Sequence, residues 1–399
     1  MSHAFYGRGV MKVDRIPIPK TIWTLGFVSL FMDLSSELIH SLLPIFLVTT
    51  LGASALTVGL IEGVAEAAAL MVRVFSGTIS DFFGKRKFLI FIGYGMAALS
   101  KPLFPMAGNV ETVFTARFLD RIGKGIRGAP RDALIADVSP PEIRGACFGL
   151  RQSMDTVGAF LGPLLAVLLL FLYQGDIELV LWVAVVPALF AVLLIVAGIE
   201  EPKARSSHKP ARSPLSFKIL KEFSGRYRWV VALGALFTMA RFSEAFLVLR
   251  AAQIGLAVTW IPLAMVLMSL AYALSAYPAG LWSDRVEKRG LLALGMAFLV
   301  LADLILATAE TLPMLFAGLA LWGLHMGFSQ GILAAMVADT TPAHWKGTAY
   351  GFFNFVSGVF MLLASVLAGW LWDRYGAEFT FYCGALFASL TLLMLMKRY

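Results

Sequence analysis

Four acids in otherwise apolar stretches are the residues of this chain best suited to chemistry: Asp33, Glu37, Glu66 and Asp155. A charged side chain in hydrocarbon is costly, and such residues normally face a partner or a water-filled cavity. Burial disfavours the ionised form of a carboxyl group and a nearby cation favours it, so an acid that alternates between the two settings can load and release a proton. Asp33, Glu37, His40 and Pro44 follow one another at spacings of four, three and four, which puts them on one helix face. Counted at 1.5 Å per residue from Thr21, Asp33 lies roughly 18 Å along that helix, near the middle of a bilayer. Glu62, Glu66 and Arg73 share a face in the same way.

Cations stand near these acids. Arg117, Asp120, Arg121, Lys124, Arg127 and Arg131 form a mainly basic stripe, Arg151 precedes Asp155 by four, and Arg241 and Glu244 lie in the second half of the chain. The positions 202 residues beyond the stripe hold Leu319, Trp322, Gly323, Met326, Ser329 and Leu333, so a requirement shared by two halves does not explain it. Asp33, Glu37, Glu66 and Asp155 are therefore the proton-coupling candidates. Arg117, Asp120, Arg121, Lys124, Arg151, Arg241 and Glu244 are candidates for a solute cavity. Static pairing, for example of Asp155 with Arg151 or Arg121, would bury the same groups without turnover. His40 and His325 could serve as proton relays, though a lone His is more often a satisfied polar group, and Asp303 adds one more acid in the second half.

The elements that must position these residues are membrane helices. The 399 residues are 59% hydrophobic with a mean hydropathy of +0.80. Twelve mostly apolar runs have the length a spanning helix needs, over 21–51, 56–80, 87–106, 111–135, 144–172, 178–198, 229–250, 258–282, 290–308, 311–337, 346–372 and 379–396. The runs lack the short alternation of barrel strands. Two motifs recur half a chain apart. Gly77-Thr-Ile-Ser-Asp81-Phe-Phe-Gly84-Lys85-Arg86-Lys87 returns as Gly280-Leu-Trp-Ser-Asp284-Arg-Val-Glu-Lys-Arg289, the aspartates being 284 − 81 = 203 apart. The stretch from Asp137 to Gly149 returns from Asp339 to Gly351, at 339 − 137 = 202. The expected fold is an all-α membrane protein of twelve transmembrane helices in two pseudo-symmetric six-helix halves. The segments are 1–20, an N-terminal tail; 21–199, the first half; 200–228, a polar linker rich in Pro, Ser and cations; and 229–399, the second half.

The formal net charge of +8 is gathered in alternate loops, at Arg8, Lys12, Arg15 and Lys20, at Lys85 to Lys87, at Lys203 to Arg212, at Arg285, Lys288 and Arg289, and at Lys397 and Arg398. The opposite loops carry Glu111, Asp176, Glu178, Glu310 and Asp373 with few cations. The positive-inside rule then places both termini and the linker in the cytoplasm, and the charge needs no nucleic acid to explain it. The tail lacks a cleavage site of the signal-peptide kind, so the first span is expected to direct its own insertion. Cys147 and Cys383 supply neither a disulfide nor a metal framework, and no cofactor is expected.

The motifs resemble those of the major facilitator superfamily over essentially the whole chain. That family's loop between spans two and three reads Gly-x-Leu-Ala-Asp-Arg-x-Gly-Arg-Lys, and this chain supplies Gly77, Asp81, Gly84, Lys85 and Arg86, departing at Phe82. Gly280 and Asp284 supply the second copy, in which Glu287 replaces the second glycine. Arg121-Ile-Gly-Lys124-Gly125 resembles the span-four Arg-x-x-Gln-Gly. Gly149, Gly158, Gly162 and Pro163 fit the span-five antiporter spacing, whose last two glycines are here Ala166 and Val167. The resemblance implies a monomer that carries a small organic solute by alternating access, with proton-coupled efflux across the plasma (inner) membrane favoured by the span-five motif. The loop motif would gate, though its cations also suit a topology-setting turn, and the span-five glycines would pack helices. Uptake, facilitated diffusion and a non-transporting receptor are the other readings. No Gly-x-Ser-x-Gly elbow, Walker loop or His-Glu-x-x-His motif points to an enzyme.

Overall fold

A computed structural model describes residues 17–83, 85–200, 223–283, 285–342 and 345–396, without the side chains of Asp81 and Phe83. The described residues form helices and no strand. The first half comprises α1 (Lys20–Ile45, prolonged by a wider π turn over Phe46–Thr50), α2 (Ala55–Phe83), α3 (Arg86–Ser100, followed by a 3-10 turn Lys101–Leu103), α4 (Val110–Val138), α5 (Arg144–Leu172), and the sequential α6 (Ile177–Val183) and α7 (Val185–Gly198). The second half comprises α8 (Gly225–Ala240) and α9 (Ala245–Gln253), then α10 (Leu263–Ser283), α11 (Lys288–Thr308), α12 (Leu312–Asp339), α13 (Lys346–Tyr375) and α14 (Ala377–Met396). Counting α6 with α7 and α8 with α9 gives twelve passes. Ten are long and apolar enough on their own to cross a membrane. The other two are α3, which has 15 residues, and α4, whose charged stripe lowers its hydropathy.

The helix starts follow local chemistry. Asn109, Asp176 and Ser224 accept from the backbone N–H three residues on, at 2.9, 3.0 and 3.2 Å, and so cap α4, α6 and α8. The start of α8 at Gly225 falls inside the stretch 200–228 read as linker, while 201–222 lie outside the described residues. The seventh pass is interrupted where the sequence suggested one continuous span: residues 241–244 leave the helix between α8 and α9.

Within the first half, α1 and α5 approach so closely that a Cβ on Gly158 would overlap the Leu30 carbonyl, and one on Gly162 would lie 2.8 Å from the Leu34 oxygen. Small residues of this kind allow two backbones to meet where no lipid intervenes. Gly123 and Gly93 bring α3 and α4 together in the same manner. The halves meet through α2 with α13, α1 with α9, and α5 with α10. Contact between α2 and α13 runs from Ala55 and Gly369, at the face opposite the chain termini, to Ala67 and Gly358 near mid-depth. The molecule is thus sealed at that opposite face. At the face where α1 begins and α14 ends, every ion pair found among the described residues stays within one half.

Candidate functional site

At mid-depth, α1, α2, α4 and α5 point charged side chains towards the space between the halves. Asp33 from α1 and Asp155 from α5 place their carboxyl groups within hydrogen-bonding reach of each other, with Lys124 and Arg127 nearby. A carboxylate only accepts, so a bond between two such groups requires one proton held between them. Asp155 also meets Arg151 at 3.1 Å and Arg131 at 3.9 Å. Arg131 reaches Ser29 Oγ at 3.3 Å and the Tyr94 hydroxyl at 3.4 Å, and the Arg127 guanidinium lies 4.3 Å from the Tyr94 ring centroid. One turn further along α1, Glu37 accepts from His40 Nδ1 at 3.2 Å. Glu66 on α2 pairs with Arg121 at 2.9 Å. The side chains of Glu37, Glu66 and Asp155 keep 20%, 31% and 24% of their surface, which lets water reach them. Lys124 is exposed and makes no ion pair among the described residues.

The basic stripe of α4 divides by depth. Lys124 is exposed to the space between the halves, whereas Arg117, Asp120 and Arg121 are buried, 1%, 2% and 2% exposed, Arg121 behind its partner Glu66. Arg117 bonds Glu62 at 2.7 Å, and Lys101 bonds Asp120 at 2.8 Å and Ser36 at 2.9 Å. His40 links this buried set to Glu37, lying 3.8 Å from Glu62. Arg117 and Asp120 therefore do not line the cavity as the sequence suggested. Both lie on its helical face, but Lys101 and Glu62 close over them. Lys101 was missed, because it sits in the 3-10 turn after α3, in no motif, and belongs to no helical stripe.

The second half contributes Arg241 and Glu244, placed by the interruption between α8 and α9 and 3.5 Å apart. With the Gln330 amide turned so that its oxygen faces the guanidinium, it accepts from Arg241 at 2.8 and 3.1 Å. Tyr272 on α10 lies in the neighbourhood of Arg241, Glu244 and, from the other half, Asp155. Nothing in its sequence context distinguishes it. Deeper in this half, the Asp303 carboxyl and the His325 and Trp322 ring nitrogens are buried around Phe242 with partly unmet hydrogen bonding.

The duplicated turns acquire a structural account. Arg86 pairs with Asp137 at 2.8 Å, and Lys288 pairs with Asp339 at 2.5 Å. Both cations and both aspartates are 202 residues apart, 288 − 86 and 339 − 137, so the two sequence repeats bind each other within each half. Lys87 donates to the carbonyls of Val196 and Ile199 at 3.3 and 2.5 Å, at the end of α7, and Arg289 donates to that of Leu395, near the end of α14. A cation at a helix C-terminus satisfies carbonyls that have no partner in the helix. These cations thus tie the second-to-third turn of each half to its fourth and sixth passes, beyond any effect on topology. Gly77 packs on Ala129, while among the described residues nothing lies within 4 Å of a Cβ placed on Gly280. Gly84 and Asp284 lie outside the described residues, as does the Asp81 side chain, and Lys85 is exposed. Of the span-five set, Gly158 and Gly162 pack on α1, and Pro163 is buried within α5 one residue further on. Gly149 has no neighbour that a side chain would meet. Among the described residues no cluster of His, Cys, Asp and Glu suits a metal ion.

A family model described as Major Facilitator Superfamily matches residues 25–356 and 245–399. An uncharacterised MFS-type transporter of Methanocaldococcus jannaschii is 30% identical over 386 residues, covering 95% of each chain. A multidrug resistance protein, MdtH, of Salmonella arizonae is 25% identical over 345 residues, covering 84% of this chain and 82% of that one. The crystal structure of the nucleoside transporter NupG superposes with a TM-score of 0.79 at 13% identity, covering 94% of this chain and 99% of that chain.

Proposed function

The chain belongs to the major facilitator superfamily and is a membrane transporter, and on that premise we propose that it exports a small organic solute in exchange for protons. The observation that carries this reading is the meeting of Asp33 and Asp155 beside Lys124 in a space that water reaches. Two acids at one place can share a proton, and an arriving anion or cation changes which charge state is cheapest there. Rocking the halves exposes the pair alternately to the two faces, so that loading and release occur on different sides. The likeness to a multidrug resistance protein supports export. The loop charges support a cytoplasmic terminal face and a plasma-membrane location. Lys124 and Arg241 give the cavity a cationic lining suited to an anionic or zwitterionic solute.

The test compares solutes inside and outside cells making the wild-type chain or Asp33→Asn, at two external pH values. Depletion inside with wild type alone, dependent on pH, is the expected result. Accumulation inside would reverse the direction to uptake. Equal, pH-dependent flux in the mutant would remove Asp33 from coupling and leave Glu66, Glu37 and Asp155 to carry it.

A further inference from the structure

The end of α13 reads Gly369-Trp-Leu371-Trp-Asp373-Arg374-Tyr-Gly376. Its Gly, Leu, Asp, Arg and Gly stand at the same relative positions as in the loop motif Gly-x-Leu-Ala-Asp-Arg-x-Gly. It is a third copy, placed on the face opposite the two turns described above. There it acts between the halves. Asp373 accepts from the backbone N–H groups of Ala55 at 3.0 Å and Leu56 at 2.8 Å, the first two residues of α2. Gly369, one turn earlier on the same face of α13, permits the approach: a Cβ there would lie 2.5 Å from the Ala55 oxygen and 2.6 Å from the Leu56 Cα. Gly376 ends the helix with φ 107°, a conformation that favours glycine. The seam continues inward with Gly59 against the Ser365 backbone and Gly63 against Ser365 and Leu362.

A helix start attracts a carboxylate because its first N–H groups have no partner in the helix and carry partial positive charge. The first turn of α2 does not depend on Asp373 alone. Ser54 Oγ accepts from Thr57 N–H at 3.2 Å, and the Ser54 carbonyl accepts from Val58 N–H at 3.1 Å. Asp373 takes the two N–H groups that this local cap leaves over. Release therefore hands two N–H groups to water without unwinding the helix, which is what a reversible contact requires. We propose that Asp373 is the latch of the face opposite the termini, holding that face closed and letting go once in each transport cycle. The latch rests on the transporter reading above, but the test below reads geometry and needs no solute. Its failure is thus distinct from an absence of flux.

The experiment places spin labels on Leu172→Cys and Leu312→Cys, exposed positions near that face in different halves. The background carries Cys147→Ala and Cys383→Ala, with the full chain in lipid nanodiscs. In wild type the short-distance population should dominate. Losing two hydrogen bonds to a charged acceptor in Asp373→Ala should move the closed-to-open ratio on the order of tenfold towards the longer distance. Asp373→Asn, which keeps one acceptor oxygen, should move it less. Gly369→Ala should open the same seam by steric pressure while leaving the carboxylate in place, and it guards against a fold defect peculiar to Asp373→Ala. Unchanged distances in Asp373→Ala, with wild-type elution on a sizing column, would overturn the proposal, and opening by Gly369→Ala alone would assign the seam to packing and overturn it equally. So would a lowered melting temperature in Asp373→Ala with no change in distance, since Asp373 would then be a helix cap and nothing more.

Discussion

At the scale of single residues, Lys124 and Arg117 show how two cations of one stripe acquire different tasks. Lys124 is exposed between the halves and, among the described residues, no carboxylate pairs with it, so its charge is available to a solute. Lys124→Gln should weaken binding of an anionic solute roughly 10- to 100-fold, the range expected from losing a hydrogen bond to a charged group, about 1.5–3 kcal/mol. Its effect on stability should stay within about 0.5 kcal/mol, as for other exposed positions. Binding and melting temperature measured on the same purified variant check both statements, and an unchanged affinity would remove Lys124 from the site. Arg117 is 1% exposed and bonded to Glu62, so its loss would damage the fold before it touched a ligand. The sequence supports the stripe, and the spacing of 117, 120, 121 and 124 does put all four on one face. It holds no information on which of them neighbouring helices cover, since Glu62 and Lys101 come from α2 and from the turn after α3.

Between elements, the buried charges join helices in a way that hydrophobic packing does not. Lys101 draws the end of α3 to α4 through Asp120 and to α1 through Ser36. Removing one partner of a buried pair leaves the other uncompensated, whereas replacing both is often tolerated. Lys101→Met should therefore destabilise the protein by about 3–5 kcal/mol, and adding Asp120→Leu should recover much of that loss. Thermal unfolding in detergent of the two variants tests this, and equal destabilisation by both would show that the pair is not the cause. In the second half, Arg250 clamps the end of α11 by donating to the carbonyls of Leu306, Ala307 and Ala309 at 2.9, 3.0 and 3.1 Å. The helices themselves were legible, because twenty-residue apolar runs have few alternatives. The break at 241–244 was not. Arg241 and Glu244 sit between Ala235 and Ile254, a stretch with neither Gly nor Pro to announce a change of backbone, and at the break Ser243 N–H donates to Ser365 Oγ of α13 while Ser243 Oγ accepts from Ala245 N–H.

On the scale of the whole molecule, seal and opening lie at different ends. The contacts of α2 with α13 and of α1 with α9 close one face, and Lys124 stays exposed at mid-depth. A Lys124→Cys variant in sealed vesicles should react with a membrane-impermeant thiol reagent added from the terminal face and be protected from the opposite face. Equal reaction from both sides would contradict this arrangement. The twofold organisation was legible in the sequence from the 202-residue repeat. Its meaning was not, because a repeat says that two stretches correspond and not what each touches. Arg86 with Asp137 and Lys288 with Asp339 show that each half binds itself together with its own copy.

The tie from Asp373 to Ala55 joins residues 318 positions apart, which bears on how the protein is made. Chains are synthesised at about 5–20 residues per second, so 318 residues take roughly 16–64 s. Throughout that interval the start of α2 is already present while the carboxylate that completes it has yet to be translated. Ser54 is then the partner close at hand, capping the young helix until the eleventh pass reaches the membrane.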